Sequence, residues 1–182
     1  MNRKYTKGFT LAELLVTLAI ISILTSVVGS NFFHILKNTH RVTVLNTMIG
    51  TMQLARSQAI TQNRRVTMCA SDDGLTCGND WSNGWLIFVD TSRDGQVNGA
   101  EITIRTVNDI SHLSITPGNI TNRFMYRPNG RIMVNNNIRR TTGQFTICDV
   151  RGSNYAKAIV IDSSGRPRAS KLNLDRSPII CL

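Results

Sequence analysis

The sequence, 182 residues long, predicts an α+β fold with one long N-terminal helix and a β-rich region behind it. Two observations carry the prediction. From Phe9 to Val28 the chain runs 20 residues with a single charge, Glu13, and apolar residues then recur at helical spacing to about Asn63. Beyond Asn63 the helical period gives way to short stretches rich in β-branched and aromatic residues, separated by turn signals. Helix first and strands afterwards favour an α+β arrangement over alternating βαβ units.

The first element begins behind a basic stretch, Met1–Gly8, carrying Arg3, Lys4 and Lys7. Basic then apolar is the pattern of a secretory signal. A run of about 20 residues, however, makes a helix of about 30 Å, enough to cross a bilayer. No small-x-small cleavage site follows it cleanly. Residues 9–29 are therefore expected to form a retained membrane-spanning helix. A carboxylate at Glu13 is costly in lipid and calls for a partner. Residues 30–64 are expected to continue the helix in amphipathic form. Leu45, Met48, Ile49, Met52, Ala55, Ala59 and Ile60 follow the i, i+3, i+4, i+7 spacing, with Arg41, Gln53, Arg56 and Gln62 between them. Gly50 weakens that segment by up to about 1 kcal/mol relative to Ala without having to break it.

Residues 65–182 are expected to form a β-rich head. Candidate strands are 65–70, 85–90, 101–107, 113–116, 123–127, 131–134, 144–149 and 158–162. Asn83-Gly84, Asp94-Gly95, Pro117-Gly118, Pro128-Asn129-Gly130 and Ser164-Gly165 mark the turns. Trp81 and Trp85 flank one turn and are expected in the core rather than exposed for stacking. The net charge of +10 is uneven: −5 over residues 66–122 and +8 over residues 123–182. A basic C-terminal third fits a polyanion-facing surface or a scattered solvated face. Four cysteines allow three pairings. No C-x-x-C pair exists and the three histidines are scattered, which disfavours zinc. Behind an export segment, disulfides are expected. No nucleophile elbow, phosphate loop or metal-ligand cluster is present, so the sequence does not read as an enzyme.

Lys7-Gly8-Phe9-Thr10-Leu11-Ala12-Glu13-Leu14-Leu15 resembles the processing site of type IV prepilins and type II secretion pseudopilins. The resemblance implies that residues 1–8 are a leader cleaved after Gly8 by a prepilin peptidase, and that Phe9 is N-methylated. It implies that Glu13 pairs with the N-terminal amine of a neighbouring subunit in a filament. Leu54-Ala55-Arg56-Ser57-Gln58-Ala59-Ile60, Trp81-x-x-Gly84-Trp85-Leu86-Ile87-Phe88-x-Asp90, Phe124-x-x-Arg127-Pro128-x-Gly130 and Ile161-Asp162-x-x-Gly165-Arg166-x-Arg168 are similar to the GspH/FimT branch of minor pilins. The implied fold is type IV pilin-like, a long N-terminal helix packed on a β-rich head. The implied location is the bacterial inner membrane, head in the periplasm, and then a pilus or pseudopilus made with other pilins.

Two stretches of the head carry candidate chemistry. Asp90, Ser92, Asp94, Gln96, Asn98 and Glu101 place oxygen ligands at calcium-loop spacing, with Gly95 at the sharp turn. The flanks read as strands and the ligand at the third position is neutral, so a polar hairpin loop is the competing reading. Gly165-Arg166-Pro167-Arg168 presents two guanidiniums about a fixed proline, with Lys157, Lys171 and Arg176 available to extend the track. Gly-Arg-x-Arg resembles the DNA-contacting element of FimT-type pilins in natural transformation, which implies backbone contacts by Arg166 and Arg168. Cys69–Cys77, closing a short loop, and Cys148–Cys181, tying down the tail, are the preferred pairs.

Overall fold

The structure is a computed structural model. It describes residues 8–181 except 100, 109 and 111, and leaves the side chains of residues 26–31 outside the description. The basic leader residues Arg3, Lys4 and Lys7 fall outside it too. Helix α1 spans Leu11–Thr61. Thr10 caps its first turn: the Glu13 amide donates to Thr10 Oγ1 at 3.3 Å, and the Leu14 amide to the Thr10 carbonyl at 3.2 Å. Glu13 is exposed there, beside the positive end of the helix dipole. The helix passes through Gly50 unbroken.

Residues up to His40 form one compact unit and Arg41–Leu182 another. In the first, the apolar side chains of Leu11–Leu24 and of Phe32, Phe33, Ile35 and Leu36 are exposed. Among the described residues no helix is long and apolar enough to cross a membrane. The apolar stretch with described side chains, Leu11–Thr25, is about 22 Å long, and the remainder of the expected 9–29 span lies outside the described side chains.

In the second unit, residues 41–61 of α1 bury Val44, Leu45, Met48, Met52, Ala55 and Ala59 against the sheets. The amphipathic face expected from residue 30 is thus buried only from Arg41 onward, and Ile60 is half exposed. The helix ends in a Schellman motif. Asn63 sits at φ 52°, its amide bonds the Ile60 carbonyl, and the Arg64 amide bonds the Ala59 carbonyl.

Nine strands follow: β1 Val66–Ala70, β2 Gly84–Val89, β3 Thr103–Asn108, β4 Ser114–Pro117, β5 Arg123–Tyr126, β6 Ile132–Val134, β7 Gly143–Cys148, β8 Lys157–Ile161 and β9 Pro167–Ser170. They form two antiparallel sheets, β3-β2-β1-β5-β6 and β4-β7-β8-β9. The core lies between the helix face and these sheets, centred on Trp81, Phe124, Tyr126 and Phe145. Trp81 meets Phe145 edge-on at 4.7 Å and donates to the Thr121 carbonyl at 2.9 Å. Both tryptophans are fully buried, so neither offers a stacking face. Both disulfides form as preferred, Cys69–Cys77 and Cys148–Cys181. The second holds Ile179 and the tail over Ala158 and Val160 on the far face of the second sheet.

One strand departs from the sequence reading. The sequence predicts no strand after 158–162 and a rigid presentation at Gly165–Arg168, whereas Pro167–Ser170 is strand β9, paired with β8 at Ile161↔Pro167 and Val160↔Arg168. A proline is admissible there because β9 is an edge strand and Pro167 its first residue.

Candidate functional site

The predicted basic residues fall into two groups. Arg166 leaves the Ser164-Gly165 turn, its amide donating to Asp162 Oδ1 at 3.3 Å. Hydrogen bonds from Ser164 and Arg166 hold the Asp162 carboxyl below its ordinary range. Arg168 follows on β9, exposed, opposite buried Val160. Pro167 between them is buried, so the two guanidiniums project from a fixed backbone. At the other end of β8, about 14 Å away at about 3.4 Å per residue, lie Lys157 and Lys171. Burial first, then the charges of Lys171 and Arg41, push Lys157 below its ordinary pKa. Arg176 sits in a tail hairpin bridged at Leu172↔Pro178, exposed, at φ 68°. That hairpin is fastened to β7, where Gln144 Nε2 donates to Asn173 Oδ1 at 2.7 Å. The five residues therefore make no single track.

The residues at calcium-loop spacing form a hydrogen-bonded loop. Asp90 turns into the sheet, where its Oδ2 accepts the Thr67 hydroxyl at 2.7 Å. Glu101 closes the loop as a hydrogen-bond clasp: its Oε1 accepts the Ser92 amide and hydroxyl at 3.0 Å, and its Oε2 the Asn98 amide at 3.3 Å. Asp94 accepts from Asn98 Nδ2 at 2.9 Å, and this bond and that from the Gln96 amide hold its carboxyl below the ordinary range. Gln96 contributes its amide to that turn. Among the described residues no cluster of three or more Asp, Glu, His or Cys could hold a metal ion.

Sequence reasoning missed a second arginine cluster. The Schellman cap directs Arg64 and Arg65 off the end of α1, where cations suit the helix dipole. Arg93 in the clasped loop and Arg127 after β5 come up beside them. Together with Asp90 and Pro128 they line a cleft of about 450 Å³. Nothing in the sequence links residues 64, 93 and 127. The paired arginines behind a helix-ending asparagine were the one local signal.

A helix capped at its N-terminus, with its C-terminal half packed on antiparallel sheets, is the architecture of type IV pilin-like filament subunits. The prokaryotic N-terminal methylation motif matches residues 3–29, and the family described as Type II transport protein GspH matches residues 44–165. The chain belongs to that GspH family of minor pilins and pseudopilins. Among solved structures it is similar to the type IV minor pilin FimU of Pseudomonas aeruginosa in two crystal forms. One is 20% identical over 77% of this chain and 98% of that chain, TM-score 0.55. The other is 19% identical over 80% and 98%, TM-score 0.58. The minor pseudopilin EpsH from the type 2 secretion system of Vibrio cholerae is 10% identical over 72% and 96%, TM-score 0.45. No curated protein matches the chain.

Proposed function

We propose that this minor pilin serves a type IV pilus and that its head binds extracellular DNA for natural transformation. A prepilin peptidase cleaves after Gly8 and Phe9 is methylated. Residues 9–29 hold the subunit in the bacterial inner membrane with the head in the periplasm. The same helix then enters the filament, with Glu13 opposite a neighbouring pilin's N-terminal amine. The observation carrying the DNA reading is the pair of exposed guanidiniums, Arg166 and Arg168, on an edge strand that buried Pro167 fixes. Arginine forks in that presentation suit phosphate oxygens, giving binding with little sequence preference and strong salt dependence.

The test is a salt titration of duplex DNA affinity with the mature chain in detergent, with and without Arg166→Ala/Arg168→Ala. Loss of two phosphate contacts should make the slope of log K against log salt shallower by about 1.8. A wild type that fails to bind at low salt refutes the reading. The description of the matched family, a type II transport protein, favours a second reading as a secretion pseudopilin. In that case deletion blocks exoprotein release and leaves transformation intact.

A further inference from the structure

We infer that the cleft at the end of α1 is a phosphate-binding site and carries the same DNA strand onward from Arg166; this rests on the DNA reading above. Four guanidiniums, Arg64, Arg65, Arg93 and Arg127, line the cleft against one carboxylate, Asp90. The salt bridges among the described residues are Arg41–Asp149 and Arg151–Asp149, so none of the four is neutralised by a partner. Arg127 Nε is buried without a hydrogen-bond acceptor. Four like charges against one carboxylate leave an excess that an external anion can neutralise, and planar forks select oxyanions such as phosphate.

Arg93 adds an independent sign. It stands at φ 67°, in the left-handed region that costs an arginine and suits Gly or Asn. The Glu101 clasp holds that loop closed. Strain held in place by surrounding structure is what a positioned binding residue shows.

The two arginine groups adjoin. Arg166 and Pro167 line a shallow cleft of about 330 Å³ with Ile60 and Thr61, and the arginine cleft begins at Asn63. Pro128 lines the arginine cleft, and Gly130, two residues on, lies against Ile60 and Arg56 of the other. Gly130 lies so close to Gly165 that a β-carbon at 165 would strike the Gly130 carbonyl. Arg56 locks the seam, donating from Nε to the Gly130 carbonyl at 3.0 Å and from Nη2 to the Ser164 carbonyl at 3.5 Å. A phosphodiester strand leaving Arg166 therefore passes the helix end into the arginine cleft, away from Lys157 and Lys171.

The test uses the mature chain in detergent micelles and a duplex oligonucleotide across a salt series. Arg64→Gln/Arg93→Asn should make the salt slope shallower by about 1.8, which is about 60-fold in affinity between 1 M and 0.1 M salt. Its melting temperature should not fall, because Asn accepts the left-handed backbone. Three outcomes separate the two claims. Weakening by both this variant and Arg166→Ala/Arg168→Ala supports the path. Weakening by the latter alone overturns the cleft and spares the DNA reading. A wild type that does not bind overturns both. Inorganic phosphate competing at millimolar concentration for wild type, and less well for Arg64→Gln/Arg93→Asn, further supports the site; equal competition counts against it.

Discussion

Replacing Cys148 and Cys181 together by alanine opens a loop with a sequence separation of 33. In the chain-entropy account a cross-link of that span removes about 12.5 cal/mol/K from the unfolded ensemble, or about 3.7 kcal/mol at 25 °C. Packing adds little, since Cys181 is only half buried at the edge of a small cluster. For a unit the size of Arg41–Leu182, about 3 °C per kcal/mol gives a drop of roughly 11 °C in Tm. Calorimetry of the mature protein measures it. The loss should come with faster tryptic cleavage after Arg176, because the tail then rests on Ile179, on the Gln144 bonds to Asn173 and Leu174, and on the Cys181 amide bond to Ser153. A shift under about 3 °C with unchanged proteolysis would refute the reasoning, and the tail would have to be held by its hairpin instead.

Four further outcomes follow from the same geometry. Gly165→Ala places a β-carbon against the Gly130 carbonyl at φ 79°; it should cost about 1–3 kcal/mol by thermal denaturation and weaken DNA binding with Arg166 intact. Trp81→Phe loses the bond to Thr121, whereas Trp85 Nε1 has no partner to lose; Trp81→Phe should therefore be more destabilising by about 1 kcal/mol in paired denaturant titrations. Asp149 is held below the ordinary carboxylate range first by its hydrogen bonds with Arg151. A depressed carboxylate contributes stability above its unfolded pKa and loses it as pH falls through the folded value. The Tm advantage of wild type over Asp149→Asn should therefore be constant near neutral pH and shrink below about pH 4. Glu101→Ala should lower Tm through the lost clasp while millimolar calcium and EDTA leave wild type unchanged; a calcium-dependent rise that EDTA reverses would restore the ligand reading of that loop.

What could be read from the sequence was what repeats or sits close along the chain. The apolar positions from Leu45 to Ala59 recur at helical spacing, so the buried face of α1 was legible before any coordinates. The same holds for eight strands whose side chains are β-branched or aromatic and whose ends are turn dipeptides. Strand β9 escaped although it closes a local hairpin with β8 at Ile161↔Pro167, because its composition, Pro-Arg-Ala-Ser, carries a turn signal and no β-branched or aromatic residue. The calcium-loop spacing of residues 90–101 meets a related limit. Spacing fixes which oxygens are near one another and leaves open which way each points. Here Thr67, on a strand 23 residues earlier, takes the Asp90 carboxylate inward.

The arginines make the deepest case. Composition placed the positive charge in the C-terminal third, and a linear reading strung Lys157, Arg166, Arg168, Lys171 and Arg176 into one track. Folding breaks that string, because antiparallel pairing of β8 with β9 sends Lys157 and Arg166 to opposite ends. It builds another from residues that sequence separates. A helix cap delivers Arg64 and Arg65, a clasped loop delivers Arg93, and a proline turn delivers Arg127. Each is placed by a local rule of backbone hydrogen bonding, yet their meeting depends on β1 pairing with both β2 and β5. That register sets Val66 opposite both Val89 and Tyr126, so the residues just outside it, Arg65, Asp90 and Arg127, must emerge together at one end of these three adjacent strands. A one-residue slip in either pairing would exchange the residues packed in the main core with those packed around Cys69, Leu86 and Phe88 on the other face, so the packing that fixes the register also fixes the cleft.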